Sequence, residues 1–154
     1  MSAEAFRRIL VATDFSPASA PAFDRALALA RGMSAQLLVL HAYQDGALPE
    51  LGFAPTGCYE AWDREVCAQA DLRLAPLMAR AREQGVEAEA LLVPGFPGEA
   101  IVEAARQRRA DLVVMGTHGR RGVARLVLGS VAASVLASAP CPVMTERGEP
   151  GQPG

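Results

Sequence analysis

Between Gly116 and Ser130 the chain reads Gly-Thr-His-Gly, nine further residues, then Gly-Ser, a spacing suited to holding an oxyanion. Gly116 follows the apolar run Leu112–Met115 and spares a ligand the Cβ that any other residue would place there. Gly119 permits a left-handed turn, and Gly129 allows close approach at the start of a helix. The N–H groups of Ser130, Val131 and Ala132 would then lack intrahelical partners, and the positive end of the helix dipole favours a phosphate in front of them. The Ser130 hydroxyl adds a donor, and Arg120, Arg121 and Arg125 in the intervening loop could close over phosphate oxygens. All fifteen basic residues are arginine. Schiff-base and P-loop lysine chemistry are therefore excluded, and any cationic contact to phosphate must come from a permanently charged guanidinium. The pattern is neither GxGxxG nor GxxxxGK[ST].

A second group of chemical residues follows the apolar run Ile9–Ala12, where the chain continues Thr13-Asp14-Phe15-Ser16. Asp14 has two readings: it could accept ribose hydroxyls, or cap the turn that follows it. His118 lies inside the glycine segment, and it and Asp14 are the candidates for a general base. No group to orient His118 is evident, so phosphate or backbone hydrogen bonding is its favoured role. His41 ends an apolar run and reads as a hydrogen-bonded core residue. Cys58, Cys67 and Cys141 are odd in number and lack CxxC spacing, which signals neither a disulfide framework nor a zinc site.

Apolar runs without strict alternation occur at Ile9–Ala12, Leu37–Leu40, Leu91–Val93 and Leu112–Met115, the lengths and patterns of strands buried on both faces. Pro142–Thr145 reads as a fifth. Helical spacing separates them: Phe23, Leu27 and Ala30; then Trp62, Val66, Ala70, Leu74, Leu77 and Ala81; then Ile101, Ala104 and Ala105; and a last helix from Ser130 to Ala137. Ser16-Pro17 and Pro97-Gly98-Glu99 mark helix starts, whereas Pro76 should kink or break the second helix near Ala75. The alternation means α/β. In such sheets ligands bind beyond the carboxyl ends of the strands, which is where Asp14 and Gly116 fall.

The length of 154 residues suits one domain, here 1–146, followed by a disordered Pro/Gly-rich tail over 147–154. Only 5% of residues are aromatic and the net charge is −2, a poor basis for binding nucleic acid. The opening residues carry no apolar run long enough for a secretory signal, and the uncharged stretch from Leu126 to Thr145 is broken by glycine, serines and prolines rather than suited to a membrane. A cytoplasmic protein without membrane association is expected.

The Gly116, Gly119, Gly129, Ser130 spacing resembles the G-x2-G-x9-G-[ST] motif of nucleotide-binding members of the universal stress protein family. The opening ILVATDFSPAS, the run Leu37–Ala42 and the closing PCPVMT are similar to that family's first, second and last strands. The resemblance implies a doubly wound sandwich whose five-stranded parallel sheet has the order 3-2-1-4-5, with helices on both faces and Asp14 and Gly116 flanking one crevice. It implies ATP or a related adenine nucleotide, with Mg²⁺, as the ligand. Ala12 and Thr13 would border the adenine, Ala42 would offer its backbone to the base, Asp14 would hold the ribose and Met115 would line the sugar. Gly116, Thr117, His118, Gly119, Arg120, Arg121 and Gly122, together with Gly129, Ser130, Val131 and Ala132, would surround the phosphates. Ala12 and Ala42 replace the bulkier Pro and Val of some binding members.

Three functions fit these residues. One is an ATP-binding stress-response regulator, a homodimer paired through the edge strand Val143–Thr145. The others are a slow ATPase or nucleotidyl transferase, and a dimeric interaction module whose cradle holds no nucleotide. The first is preferred, because the sequence supplies donors for phosphate and no convincing apparatus for cleaving it.

Overall fold

The computed structural model describes residues 5–44, 56–118 and 128–148. Five strands, β1 (Arg8–Ala12), β2 (Gln36–Tyr43), β3 (Ala88–Pro94), β4 (Leu112–Gly116) and β5 (Val143–Glu146), form one sheet in the order β3-β2-β1-β4-β5. Every neighbouring pair is parallel. The connecting helices are α1 (Ala20–Met33), α2 (Thr56–Glu83), α3 (Pro97–Gln107) and α4 (Ser130–Ser138). The fold expected from the sequence is the fold observed.

Period-two alternation sorts the strand residues between two cores. Ile9, Val11, Leu37, Val39, Leu112 and Val114 point to one face, where Phe23 and Leu27 of α1 and Leu74 of α2 cover them. Leu10, Leu38, Leu40, Val113 and Met115 point to the other, beneath Ile101 and Val102 of α3 and Val135 of α4. Burial on both faces explains why these strands read as unbroken apolar runs. It also fixes the site: β1 feeds α1 on one face while its neighbour β4 feeds α4 on the other, so the chain parts at their carboxyl ends and leaves a crevice.

Three expectations need adjustment. Helix α1 starts at Ala20, with Ser19 in the N-cap position and Pro21 in its first turn, rather than at Ser16-Pro17. The Ser16 N–H and hydroxyl are both committed to Asp14, and Ser19 N–H returns to Ser16 O at 3.1 Å, so the chain completes a turn before the helix begins. Helix α2 runs unbroken through Pro76. The carbonyl that proline leaves without a donor belongs to Leu72, which is 69% exposed and can be served by water. At the C-terminus, Gly148 is half-buried against Ala18 rather than part of an unpacked tail, its missing side chain permitting the contact. Residues 149–154, the connection at 45–55 and the side chains of Cys58 and Trp62 lie outside the described residues. Among the described residues no helix is long and apolar enough to cross a membrane.

Candidate functional site

The β1 bank of the crevice is a closed hydrogen-bonded turn. Thr13 N–H extends the β1–β2 ladder by bonding Leu40 O at 2.9 Å, and the chain then reverses through Phe15 in a left-handed conformation, φ +63°. A bulky residue there is strained. The turn is held by its hydroxyls: Phe15 N–H donates to Thr13 Oγ1 at 3.0 Å, Thr13 Oγ1 meets Ser19 Oγ at 3.2 Å, and Ser19 Oγ donates to Ser16 O at 2.9 Å. The Phe15 ring lies 4.4 Å from the His41 ring, with the Arg73 guanidinium 4.9 Å from its centroid. His41 Nδ1 in turn pairs with Thr13 O at 2.9 Å, so this half-buried histidine supports the turn from the rim of the core rather than from within it. Asp14 Oδ1 accepts the Ser16 N–H at 2.9 Å and the Ser16 hydroxyl, so the turn-capping reading is realised. The same residue also borders the cavity between the two banks.

The β4–α4 bank is built differently. A Cβ on Gly116 would lie 3.1 Å from Ala18 O and 3.3 Å from His118 O, so neighbouring backbone as well as the adjoining cavity favours glycine here. Thr117 is a main-chain bridge: its N–H donates to Glu146 O at 3.1 Å, and its carbonyl accepts Gly129 N–H at 2.8 Å. Gly129 is the N-cap of α4, and a Cβ on it would stand 2.9 Å from Thr117 O. Ala133 makes the first intrahelical bond, to Gly129 O at 2.9 Å. The N–H groups of Ser130, Val131 and Ala132 therefore precede the helical ladder, at the positive end of the dipole. His118 Nδ1 pairs with Thr117 Oγ1 at 3.0 Å, while its Nε2 is buried with no hydrogen-bond partner among the described residues. A buried polar atom left in this state costs free energy unless something supplies a partner.

Between the banks lies a cavity of about 620 Å³, within the usual range for small-molecule sites. Ala12, Thr13 and Asp14 border it from β1; Met115, Gly116, Thr117 and His118 from β4; and Gly129, Ser130, Val131 and Ala132 from α4. Ala42 closes it from β2. Each expected site residue within the described part of the chain thus borders one cavity, while Gly119, Arg120, Arg121, Gly122 and Arg125 are not among the described residues. Sequence reasoning missed Ser19, Leu40, Leu128, and Pro97 and Ile101 on α3. Two signals were available: Leu40 is two residues from Ala42 and shares its face of the strand, and Pro97 and Ile101 are a helical i, i+4 pair.

The backbone of Ala42 also has a defined aim. Gln36 N–H bonds Arg7 O and Leu40 O accepts Thr13 N–H, so even-numbered residues of β2 face β1. Leu37 N–H bonds Glu87 O and Tyr43 O accepts Gly95 N–H, so odd-numbered ones face β3. The main-chain groups of Ala42 consequently face the β1 side just beyond that strand's last residue, at the cavity.

Away from the crevice, Cys141 precedes β5 at the amino end of the sheet. Burial first, and the charge of Asp111 second, push its thiol above the ordinary range. Among the described residues there is no cluster of three or more His, Cys, Asp or Glu side chains able to hold a metal ion.

Fold and crevice together define a doubly wound α/β protein with its cavity at the switch point between β1 and β4. Residues 5–147 match the Universal stress protein family, and the chain belongs to it. A universal stress protein of Thermus aquaticus is 40% identical over 143 residues, spanning 92% of this chain and 99% of that protein. A solved universal stress protein in complex with cAMP is 28% identical with a TM-score of 0.71, covering 95% of this chain and 100% of that one. A structure of a Methanocaldococcus jannaschii protein shares the fold at TM-score 0.81 and 22% identity, over 92% of this chain and 95% of that one.

Proposed function

We propose that this protein binds an adenine nucleotide, ATP carrying Mg²⁺, in the β1/β4 crevice and serves as a cytoplasmic, dimeric stress-response regulator. The observation that carries the reading is the pairing, across one cavity, of an apolar chamber with a bank of polar groups that have no partner among the described residues. Leu40, Ile101 and Val131 offer the base an apolar slot, and Ala42 faces the slot with main-chain N–H and C=O groups suited to its edge. Asp14 on the opposite bank borders the cavity and suits the ribose hydroxyls, since a carboxylate accepts hydrogen bonds on both of its oxygens. The α4 N-terminus, the Ser130 hydroxyl and the buried Nε2 of His118, which has no partner among the described residues, suit the phosphates. Mg²⁺ would arrive on the phosphates and keep its waters, as it commonly does. The family relative solved with cAMP supports an adenine nucleotide as the ligand class.

The dimer reading rests on β5, an edge strand paired on one side only, by β4, and half-buried along its length. Hydrolysis forms no part of the proposal: the partner of His118 Nδ1 is the Thr117 hydroxyl rather than a carboxylate that would orient a general base. Mass spectrometry of small molecules released by denaturing freshly purified protein, with equilibrium dialysis against ATP and Mg²⁺, tests the reading. Adenine nucleotide in the released fraction, or saturable binding below millimolar ATP, is expected. Neither, with the protein folded, would overturn it.

A further inference from the structure

The β4–α4 bank hangs on the last residue of the edge strand. Glu146 O accepts the Thr117 N–H at 3.1 Å, and Thr117 O accepts the N–H of Gly129, the residue that aims α4. The side chain of Glu146 is itself gripped from α1: Arg25 Nε donates to Oε2 at 3.2 Å and Arg25 Nη2 to Oε1 at 3.1 Å, a two-pronged fork. Such planar pairing fixes orientation as well as distance. The fork holds the Arg25 guanidinium further into its charged range. Beyond it, Gly148 rests on Ala18, whose carbonyl lies beside Gly116. The end of β5 is thereby stapled to α1 while its backbone carries the phosphate-facing elbow.

Arg25 does not border the cavity, and neither does Glu146. The Arg25 side chain is 54% exposed and that of Glu146 23%, and a pair with one partner open to water adds little to global stability. The fork fixes the Glu146 side chain at the point where the same residue's carbonyl continues the β4–β5 ladder to Thr117. We propose that Arg25 and Glu146 are a positioning pair for the phosphate-facing elbow, holding the α4 N–H groups on target through Thr117 and Gly129 without touching ligand. The proposal rests on the nucleotide reading for its consequence in affinity, and on the hydrogen-bonded geometry alone for its effect on the elbow.

The test uses the full-length protein and the variants Arg25→Gln, Glu146→Gln and the swap Arg25→Glu with Glu146→Arg. Amide hydrogen exchange at Thr117 and Gly129, measured without nucleotide, reads the elbow directly. Both single variants should exchange faster there, and the swap should recover protection, with the unfolding midpoint moved by no more than about 3 °C. Titration with ATP and Mg²⁺ should show the single variants weakened by about 3- to 30-fold and the swap restored toward the parent affinity. Unchanged exchange at both amides overturns the proposal whether or not nucleotide binds. Unchanged affinity in variants of a parent that does bind also overturns it, whereas failure of the parent itself to bind overturns the nucleotide reading instead.

Discussion

The two banks of the crevice handle their polar groups in opposite ways. On the β1 side, Thr13, Ser16 and Ser19 are buried and bonded to one another, and the turn is satisfied from within. On the β4–α4 side the main chain is stapled at Thr117 and Gly129, yet the first N–H groups of α4 lie outside the helical ladder and His118 Nε2 has no partner among the described residues. The first bank is a rigid wall that presents one carboxylate. The second is a socket whose donors are positioned in advance and have no partner among the described residues, and such donors favour an anion.

Adding a methyl group at the socket should break this contrast most severely. In Gly129→Ala the new Cβ meets Thr117 O at 2.9 Å, so either the Thr117–Gly129 bond or the aim of α4 must yield. ATP affinity should fall by about 30-fold or more, corresponding to roughly 2 kcal/mol, measured by calorimetric titration. The wall should show a different loss. Asp14→Ala removes a charged acceptor, and a fall of about 10-fold in ATP affinity is expected. If Asp14 holds the ribose, the parent should prefer ATP over dATP and the variant should bind the two alike. His118→Ala should weaken ATP by only about 2- to 10-fold, because it removes one of several donors facing the phosphates, and should leave the Asp14-dependent preference for ribose intact.

The smallest effect is expected at the opposite end of the sheet. With the Cys141 thiol raised by burial, its thiolate fraction at pH 8 lies below that of a free cysteine. Alkylation by iodoacetamide, followed by mass spectrometry of the Cys141 peptide, should be slow there, should accelerate at higher pH, and should be indifferent to ATP.

The fold was legible because its strands are buried on both faces: Leu37–Leu40 and Leu112–Met115 announce themselves as continuous apolar runs. The socket was legible because its glycines are local in sequence and bounded by a strand and a helix. Other features depend on contacts that short-range pattern does not encode. The late start of α1 follows from Asp14 taking both donors of Ser16. The continuity of α2 through Pro76 follows from Leu72 facing solvent. Gly116 is explained by Ala18, nearly a hundred positions earlier, and the fork between Arg25 and Glu146 spans 121 residues. The α3 wall at Pro97 and Ile101 becomes part of the site only once α3 is seated over β2 and beside α4.

The central claim is that phosphate meets the N-terminus of α4 while the base lies against Ala42. Titration of ¹⁵N-labelled protein with ATP and Mg²⁺ tests it most directly, through the amide signals of Ser130, Val131, Ala132 and Ala42. The account predicts that these four shift together and saturate on one curve, while amides at the amino ends of the strands, such as Arg8 and Gln36, stay in place. Saturable binding that leaves the Ser130–Ala132 amides unmoved, or no binding at millimolar nucleotide, would contradict it.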